Sequence, residues 1–430
     1  MRERSGLWAH ADFLKLWSAQ TISQAGSQVT QLGLPFAAVV VLHASALEVS
    51  LLGTAAIMPF VLFALPAGVW VDRLRRRPLM VAADSGRVAV LASIPIAHAF
   101  GSLTLGQLYA CEFAAGVLTV VFDVSYLSYL PSLVSREELA AGNAKLETTR
   151  AAAQTAGPGL GGGLIGLVGA PAAITADAVS FGISGALISL IRRPEHVAAR
   201  ADREPLAHEL WEGLRYVFGQ RYLRALTICT GTWNLFGSIV FGLFVVYGVR
   251  SLGLSAPILG LIFMIGSIGS GIAAMLSAQA VRRIGLGPTI VWPGILGSVF
   301  FVLAPLAHRS TAVPFLLVGV VGASALGMLF NVNQLTLRQA ITPARLQGRM
   351  NAIVRFMYWG PQVVGFALGG VLASTIGLRG AIWVGVAGST VAMVPLAFSS
   401  VRRIEKLPRP AEAAEPLLPE PPAVLGAADA

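Results

Sequence analysis

Long apolar runs, each near the length a helix needs to cross a bilayer, follow one another from residue 16 to residue 399 with short breaks between them. One crossing takes roughly 20 apolar residues, so about twelve runs account for most of the chain. Of the 430 residues, 55% are hydrophobic and 12% charged, and the mean hydropathy is +0.72. Soluble domains carry about 25% charged residues, so this chain has too little polar surface to cover a water-soluble fold. The alternation at period two that marks a transmembrane barrel is absent. The expected fold class is therefore all-α: a polytopic membrane protein of about twelve transmembrane helices, because a helix satisfies its own backbone in lipid.

The net charge of +10 reports topology. With spans placed from 16–42 to 379–399, only Arg250, Arg309 and Arg379 of the 31 Lys and Arg residues fall on one side of the membrane. The rest lie on the other side, as the positive-inside bias requires of the cytoplasmic face. Both termini are then expected in the cytoplasm, the lipid bilayer is a partner, and no nucleic-acid partner is expected. Cys111 and Cys229 sit inside apolar runs, so no disulfide framework is expected. The first apolar run is too long for a signal peptide and is expected to be kept as the first span.

The expected organisation is a cytoplasmic segment 1–15, a six-helix bundle 16–191, a linker 192–222, a second six-helix bundle 223–403, and a Pro-, Ala- and Glu-rich disordered tail 404–430. In the linker, Leu210, Leu214, Val217 and Phe218 recur at helical spacing, which predicts an amphipathic helix on the inner membrane surface. The bundles repeat. Asn143-Ala144 and Asn351-Ala352 differ by 208 positions, and the same offset pairs Gln154 with Gln362, Gly157 with Gly365, Leu160-Gly161-Gly162 with Leu368-Gly369-Gly370, and Gly169 with Gly377. Two parallel halves related across the membrane normal fit this pattern.

Between the second and third apolar runs lies Gly68-Val-Trp-Val-Asp72-Arg73-Leu-Arg75-Arg76-Arg77. It fits G-x-x-x-D-R-x-x-R-R and resembles the loop signature of the major facilitator superfamily of secondary transporters. The resemblance implies two pseudo-symmetric six-helix bundles and alternating access. It also implies that Gly68, Asp72, Arg73, Arg76 and Arg77 latch the inner gate. Gly157-Pro158-Gly159-Leu160-Gly161-Gly162 resembles the fifth-span signature of exporters in that superfamily, with Gly157, Pro158, Gly161 and Gly162 at its defining positions. Pro158 removes a helix hydrogen bond, and the small residues permit close packing; simple glycine packing explains the same residues. Leu130-Pro131-Ser132-Leu133-Val134, Glu137-Glu138-Leu139 and Asp177-Ala-Val-Ser180-Phe181 look like the branch containing the enterobactin exporter and macrolide efflux proteins. The resemblance covers residues 10 to 403 and implies a monomer in a bacterial inner membrane. At Gln347-Gly348-Arg349 the chain departs from the Arg-Gly-Arg more usual in that branch.

Charges inside spans are costly and are functional suspects. Asp84 and Arg87, three apart on one helix face, read as a mutual pair. Arg150 and Arg355 lie in the inner thirds of their spans, where they fit either the gate or snorkelling to the inner surface. Glu112, Asp123 and Asp177 are the candidates for proton coupling, or else interhelical hydrogen bonders. The first span carries Gln20, Gln24, Gln28 and Gln31 on one face. In the resembled family this span lines the cavity, so Gln24, Gln28 and Gln31 are candidate substrate contacts, alongside interhelical hydrogen bonding. Asn234, Asn331, Asn333 and Tyr358, with Trp233 and Trp359, extend the lining from the second half. Apolar and aromatic walls with a few amides suit a bulky amphiphilic organic molecule.

No G-x-x-x-x-G-K-[ST], H-E-x-x-H or G-x-S-x-G occurs, so neither an ATP-driven pump nor an enzyme is expected, and no cofactor or metal. The expected function is a proton-coupled exporter, an antiporter of a drug, macrolide or siderophore-like product. An importer of a small metabolite and a transport-inactive sensor or scaffold are the alternatives. Replacing Asp72 with Asn is expected to cripple efflux while leaving the protein in the membrane fraction; full efflux by that variant would remove the latch reading.

Overall fold

A computed structural model describes residues 7, 10–71, 74–135, 137–193, 206–405 and 407. Asp72 and Arg73, and nearly all of the tail, lie outside the described residues. The first half comprises α1 (Ala11–Phe36), α2 (Ala46–Val71), α3 (Arg76–Ala99), α4 (Leu105–Leu133), α5 (Leu139–Val168) and α6 (Ala170–Ser189). A linker helix, α7 (Leu206–Gly219), leads to α8 (Arg221–Val246), α9 (Ala256–Ile284), α10 (Leu286–Phe300) and α11 (Ala312–Ile341). The run Gln347–Phe398 is broken at Gly377 into α12 and α13. Apart from α7, these are twelve membrane helices among the described residues.

Nine segments among the described residues are long and apolar enough to span a membrane, counting the α12–α13 run once. α1 and α5 fall short because they carry polar residues along their length, the glutamines of α1 and Lys145, Glu147, Arg150 and Gln154 of α5. Such helices must face protein or water.

The repeat predicted at offset 208 is present in the packing. α1 and α8 both end in a turn of π-helix, Ala37–Val41 and Tyr247–Ser251. Gly169 (φ +81°) and Gly377 (φ +80°) each turn the chain between consecutive helices within one residue, in a backbone region that only glycine adopts readily. A Cβ added at Gly161 would lie 3.1 Å from Val29 Cα of α1; one added at its mate Gly369 would lie 3.1 Å from Ile239 Cα of α8.

The neighbouring glycine in each pair faces the opposite half. A Cβ at Gly162 would lie 2.5 Å from the Ala256 carbonyl oxygen and 3.0 Å from Gly260 Cα on α9. At Gly370 it would meet Leu47 Cα of α2 at 2.9 Å. The seam continues through Arg250 Nη2 donating to the Ala44 carbonyl at 2.6 Å and Thr54 Oγ1 donating to the Val363 carbonyl at 3.4 Å. It reaches mid-membrane at the Phe60–Trp359 stack, centroids 5.4 Å apart. These contacts cluster toward the face opposite the Arg-rich loops.

On that far face one apolar core runs through both halves, joining Val29, Leu32, Phe36 and Ile165 to Leu243, Leu259, Ile262 and Ala373. Toward the basic face there are two separate cores, one around Phe13, Leu16, Met80 and Leu133, the other around Leu226, Leu286, Leu337 and Met350. The halves meet on the far face and part toward the basic one. Arg250, Arg309 and Arg379, the three far-face cations, each donate to a backbone carbonyl, of Ala44, Ser251 and Ala307 respectively. Helix α7 packs its apolar face onto the second half: Val217 is fully buried, Tyr216 Oη donates to the Ile341 carbonyl at 3.0 Å, and Glu212 pairs with Arg345 at 3.1 Å and with Arg349.

Gly162→Leu is expected to force α5 from α9, at an overpacking cost of about 1–3 kcal/mol, and to raise the rate at which an impermeant maleimide labels a cysteine placed at Thr54. Gly163→Leu, where an added Cβ meets nothing within 4 Å, is expected to leave that rate unchanged. Equal rates in the two variants would disprove the seam.

Candidate functional site

Two polar constellations stand out, one in each half. In the first, α3 places Asp84 and Arg87 one turn apart, so that they form a buried ion pair. The guanidinium lies between two aromatic faces, 3.9 Å from the Phe181 centroid on α6 and 4.5 Å from the Phe122 centroid on α4. Cation–π contact on both faces is strengthened by the loss of water. The same helical turns deliver acids: Asp123 follows Phe122 in the chain, and Asp177 lies one turn before Phe181. The Arg87 charge acts on Asp84, Asp123 and Asp177 together.

Asp177 is 1% exposed and accepts from Ser180 Oγ at 3.1 Å. Gly26 of α1 admits it, since a Cβ there would lie 2.7 Å from its Oδ1. Gly185 similarly lets α6 reach Asp84, whose Cβ would be 3.2 Å away. Glu112, half-buried on α4, is repelled by the charge of Asp177. Asp123 also feels Arg150 and Arg355, one from each half. Four carboxyl groups thus share the interior of the first half with one guanidinium. Asp84 and Arg87 form the local pair that their spacing predicts. Its place at the centre of the acids depends on α4 and α6, and the signal available was the adjacency of Phe122 to Asp123 and of Asp177 to Phe181.

Of the gate residues, Gly68 is in the basic end of α2 and Asp72 and Arg73 lie outside the described residues. Arg76 begins α3, and Arg77 donates to the Ser189 carbonyl at the C-terminal end of α6, where the helix dipole favours a cation. Arg150 is 3.9 Å from Glu147, and both Arg150 and Arg355 are exposed. At the α4–α5 turn, the Ser135 hydroxyl donates to Glu138 at 2.9 Å and holds its carboxyl below the usual range. In the helix 5 motif, Gly157 and Gly161 pack on Gln28 and Val29 of α1, while Gly162 and the Pro158 carbonyl meet α9.

In the second half, a cavity of about 240 Å³ opens among α8, α10, α11, α12 and α13. Trp233, Phe241, Phe301 and Tyr358 supply its aromatic wall, and Asn234, Asn331 and Gln334 its amides. Gln362 Nε2 donates to Asn234 Oδ1 at 3.0 Å, Gln334 Nε2 to Asn331 Oδ1 at 3.1 Å, and Trp233 Nε1 to Ser298 Oγ at 2.8 Å. Asn333 departs from the expected lining. It is buried and donates to Ser277 Oγ at 2.9 Å and the Leu329 carbonyl at 2.7 Å, so it ties α11 to α9. Two positions on from Asn331, it points some 200° around the helix. Gln28 is turned to α5, Gln24 is half-buried and Gln31 is exposed.

A family model described as Major Facilitator Superfamily matches residues 16–359 and 250–427. The "Multidrug efflux pump Tap" of Mycolicibacterium fortuitum is 26% identical over 389 residues, covering 85% of this chain and 90% of that protein. Its namesake in Mycobacterium tuberculosis (strain ATCC 25618 / H37Rv) is 24% identical over 379 residues, covering 84% and 87%. Among solved structures, a bacterial homologue of the iron transporter ferroportin in an inward-facing state superimposes with a TM-score of 0.73 at 18% identity, covering 92% of this chain and 99% of that one.

Arg87→Gln leaves Asp84 buried without its counter-ion and is expected to destabilise the protein by about 3–5 kcal/mol. Adding Asp84→Asn is expected to restore most of that loss in a thermal-unfolding double-mutant cycle. Additive losses would show that the pair is not coupled.

Proposed function

The chain belongs to the major facilitator superfamily, and from that membership we propose that it is a proton-coupled exporter of bulky organic molecules, working by alternating access as a monomer in a bacterial inner membrane. The observation that carries this reading is the division of chemistry between the halves. The first half gathers Asp84, Asp123 and Asp177 around Arg87, with Glu112 within reach of the Asp177 charge. The second half has an aromatic, amide-lined cavity. Carboxylates crowded in low dielectric repel one another, so a cluster with one cation is suited to taking up and releasing protons. Aromatic walls with a few amides are suited to an amphiphilic cargo. Efflux rather than uptake is supported by the likeness to the multidrug efflux pump Tap and by the glycine pattern of α5.

On this reading the basic face is cytoplasmic, both termini lie there, and the halves part toward the cytoplasm. The glycine seam closes the outer end. Gly68, Asp72, Arg73, Arg76 and Arg77 act when the basic ends come together, with Arg77 leaving the end of α6 for a partner across the gap. Arg150 and Arg355 approach Asp123 from opposite halves. Closing the gate therefore draws two cations toward one acid, which links the proton site to the conformational change.

Purified protein in liposomes is expected to accumulate a lipophilic fluorescent dye when a pH gradient is imposed and to stop when a protonophore collapses it. Asp177→Asn, Asp123→Asn and Glu112→Gln are each expected to lower gradient-driven transport about tenfold or more. Transport insensitive to the gradient would overturn proton coupling; unchanged transport in all three variants would move it away from these acids.

A further inference from the structure

The second half holds a buried cation with no acidic partner among the described residues. Arg338, near the basic end of α11, is 8% exposed and its Nε has no hydrogen-bond partner. Among the described residues no acidic side chain acts on it. Arg87, the buried guanidinium of the first half, is surrounded by acids instead. An isolated charge out of water is strongly unfavourable unless a ligand or a second conformation compensates it.

The position of Arg338 points to a ligand. Spacings of three and four put Asn331, Gln334 and Arg338 on one face of α11, and the first two line the second-half cavity. Across from them α8 presents Thr227, Thr230 and Asn234 at similar spacing, and Thr230 and Asn234 line the same cavity. The hydroxyls of Thr227 and Thr230 are buried and without partners. Because α8 leaves the basic face and α11 returns to it, Thr227 and Arg338 both lie near the basic ends of their helices. The cavity therefore has aromatic walls and one unsatisfied hydroxyl, Thr230, in its lining, and about one turn further toward the basic ends of the same two helices come two more unsatisfied donors, Thr227 and Arg338.

Resting on the transporter reading above, we infer that this cavity takes an organic anion or zwitterion. Its apolar body lies against Trp233 and Tyr358, and its acidic group is directed along α11 toward Arg338 and the Thr227 and Thr230 hydroxyls. Ionised acceptors make the stronger hydrogen bonds, and a guanidinium matches a carboxylate in a bidentate fork. Arg338 sets specificity for charge, while the aromatic wall sets it for bulk.

Three probes that share one ring system test this by calorimetry on the full chain in nanodiscs: naphthoate, its neutral amide, and a naphthylmethylammonium cation. Naphthoate is expected to bind about tenfold or more tighter than the amide, with the cation weakest. Arg338→Gln is expected to abolish that preference, Arg338→Lys to keep part of it, and Thr230→Val to weaken naphthoate alone. Removing Arg338 strands no acid, so its Gln variant is expected to unfold at no lower temperature than the parent. Equal affinity for naphthoate and amide in the parent, or an undiminished preference in Arg338→Gln, would overturn the inference. The second outcome would point to Arg338 pairing with an acid of the first half in another conformation. In liposomes, gradient-driven flux of the dye with no preference for anions would overturn this inference alone, whereas absence of gradient-driven flux for every compound would overturn the transporter reading.

Discussion

Backbone-to-backbone approach at glycine is the contact on which the arrangement of the halves depends. α5 and α12 each carry two glycine faces about 100° apart. One seats the helix on the first helix of its own half, and the other seats it on the opposite half. In lipid no hydrophobic force drives helices together, so association relies on close packing, and a side chain at these positions would forfeit it. The far-face core that runs through both halves forms around this seam, and the basic-side cores are separate where the described residues form no comparable seam.

A seam built from small residues has a second consequence. It is well packed yet contains few hydrogen bonds, so it can separate without stranding buried polar groups. The interhalf bonds at the seam include Arg250 to the Ala44 carbonyl and Thr54 to the Val363 carbonyl, both only partly buried, so that water can satisfy their groups when the seam opens. Polar interactions that cannot be left open are kept within a half, as with Asp84 and Arg87 or Asn333 and Ser277. Each half can therefore move as a unit while its interior stays paired, which is what rocking of one bundle against the other requires.

The chemistry is divided the same way. The first half concentrates acids about Arg87, held by Phe122 and Phe181, and the second concentrates aromatics and amides. Arg338 breaks the symmetry of this division. It is the charged member of the buried polar side chains described in the second half, one turn beyond Gln334, which lines the cavity. The linker helix α7 adds an acid, Glu212, for Arg345 and Arg349 at the α11–α12 turn. Those two arginines are compensated by a segment that belongs to neither repeat, whereas the buried Arg338 has no acidic partner among the described residues.

Much of the architecture was legible in the residues. Apolar run length reports crossings because a bilayer has one thickness and a helix one rise per residue. The offset of 208 reports the repeat because equivalent helices need glycine at equivalent crossings. The pairing of Asp84 with Arg87 followed from spacing alone, since both lie on one helix. Facing between helices was not legible. The glutamines of α1 are a stripe in sequence, yet Gln28 meets Gly157 while Gln31 is exposed, because neighbours differ along the helix. Asn331 and Asn333 are two residues apart and point to different partners. That three acids act on Arg87 and none of the described ones on Arg338 is a property of which helices pack beside α3 and α11. The number, length and repetition of the helices follow from the order of residues alone, because those depend on local periodicity and on the solvent. Which charges meet across helices, as Glu212 does with Arg345 and Arg349, was settled by packing, because it depends on side chains that distant segments bring together.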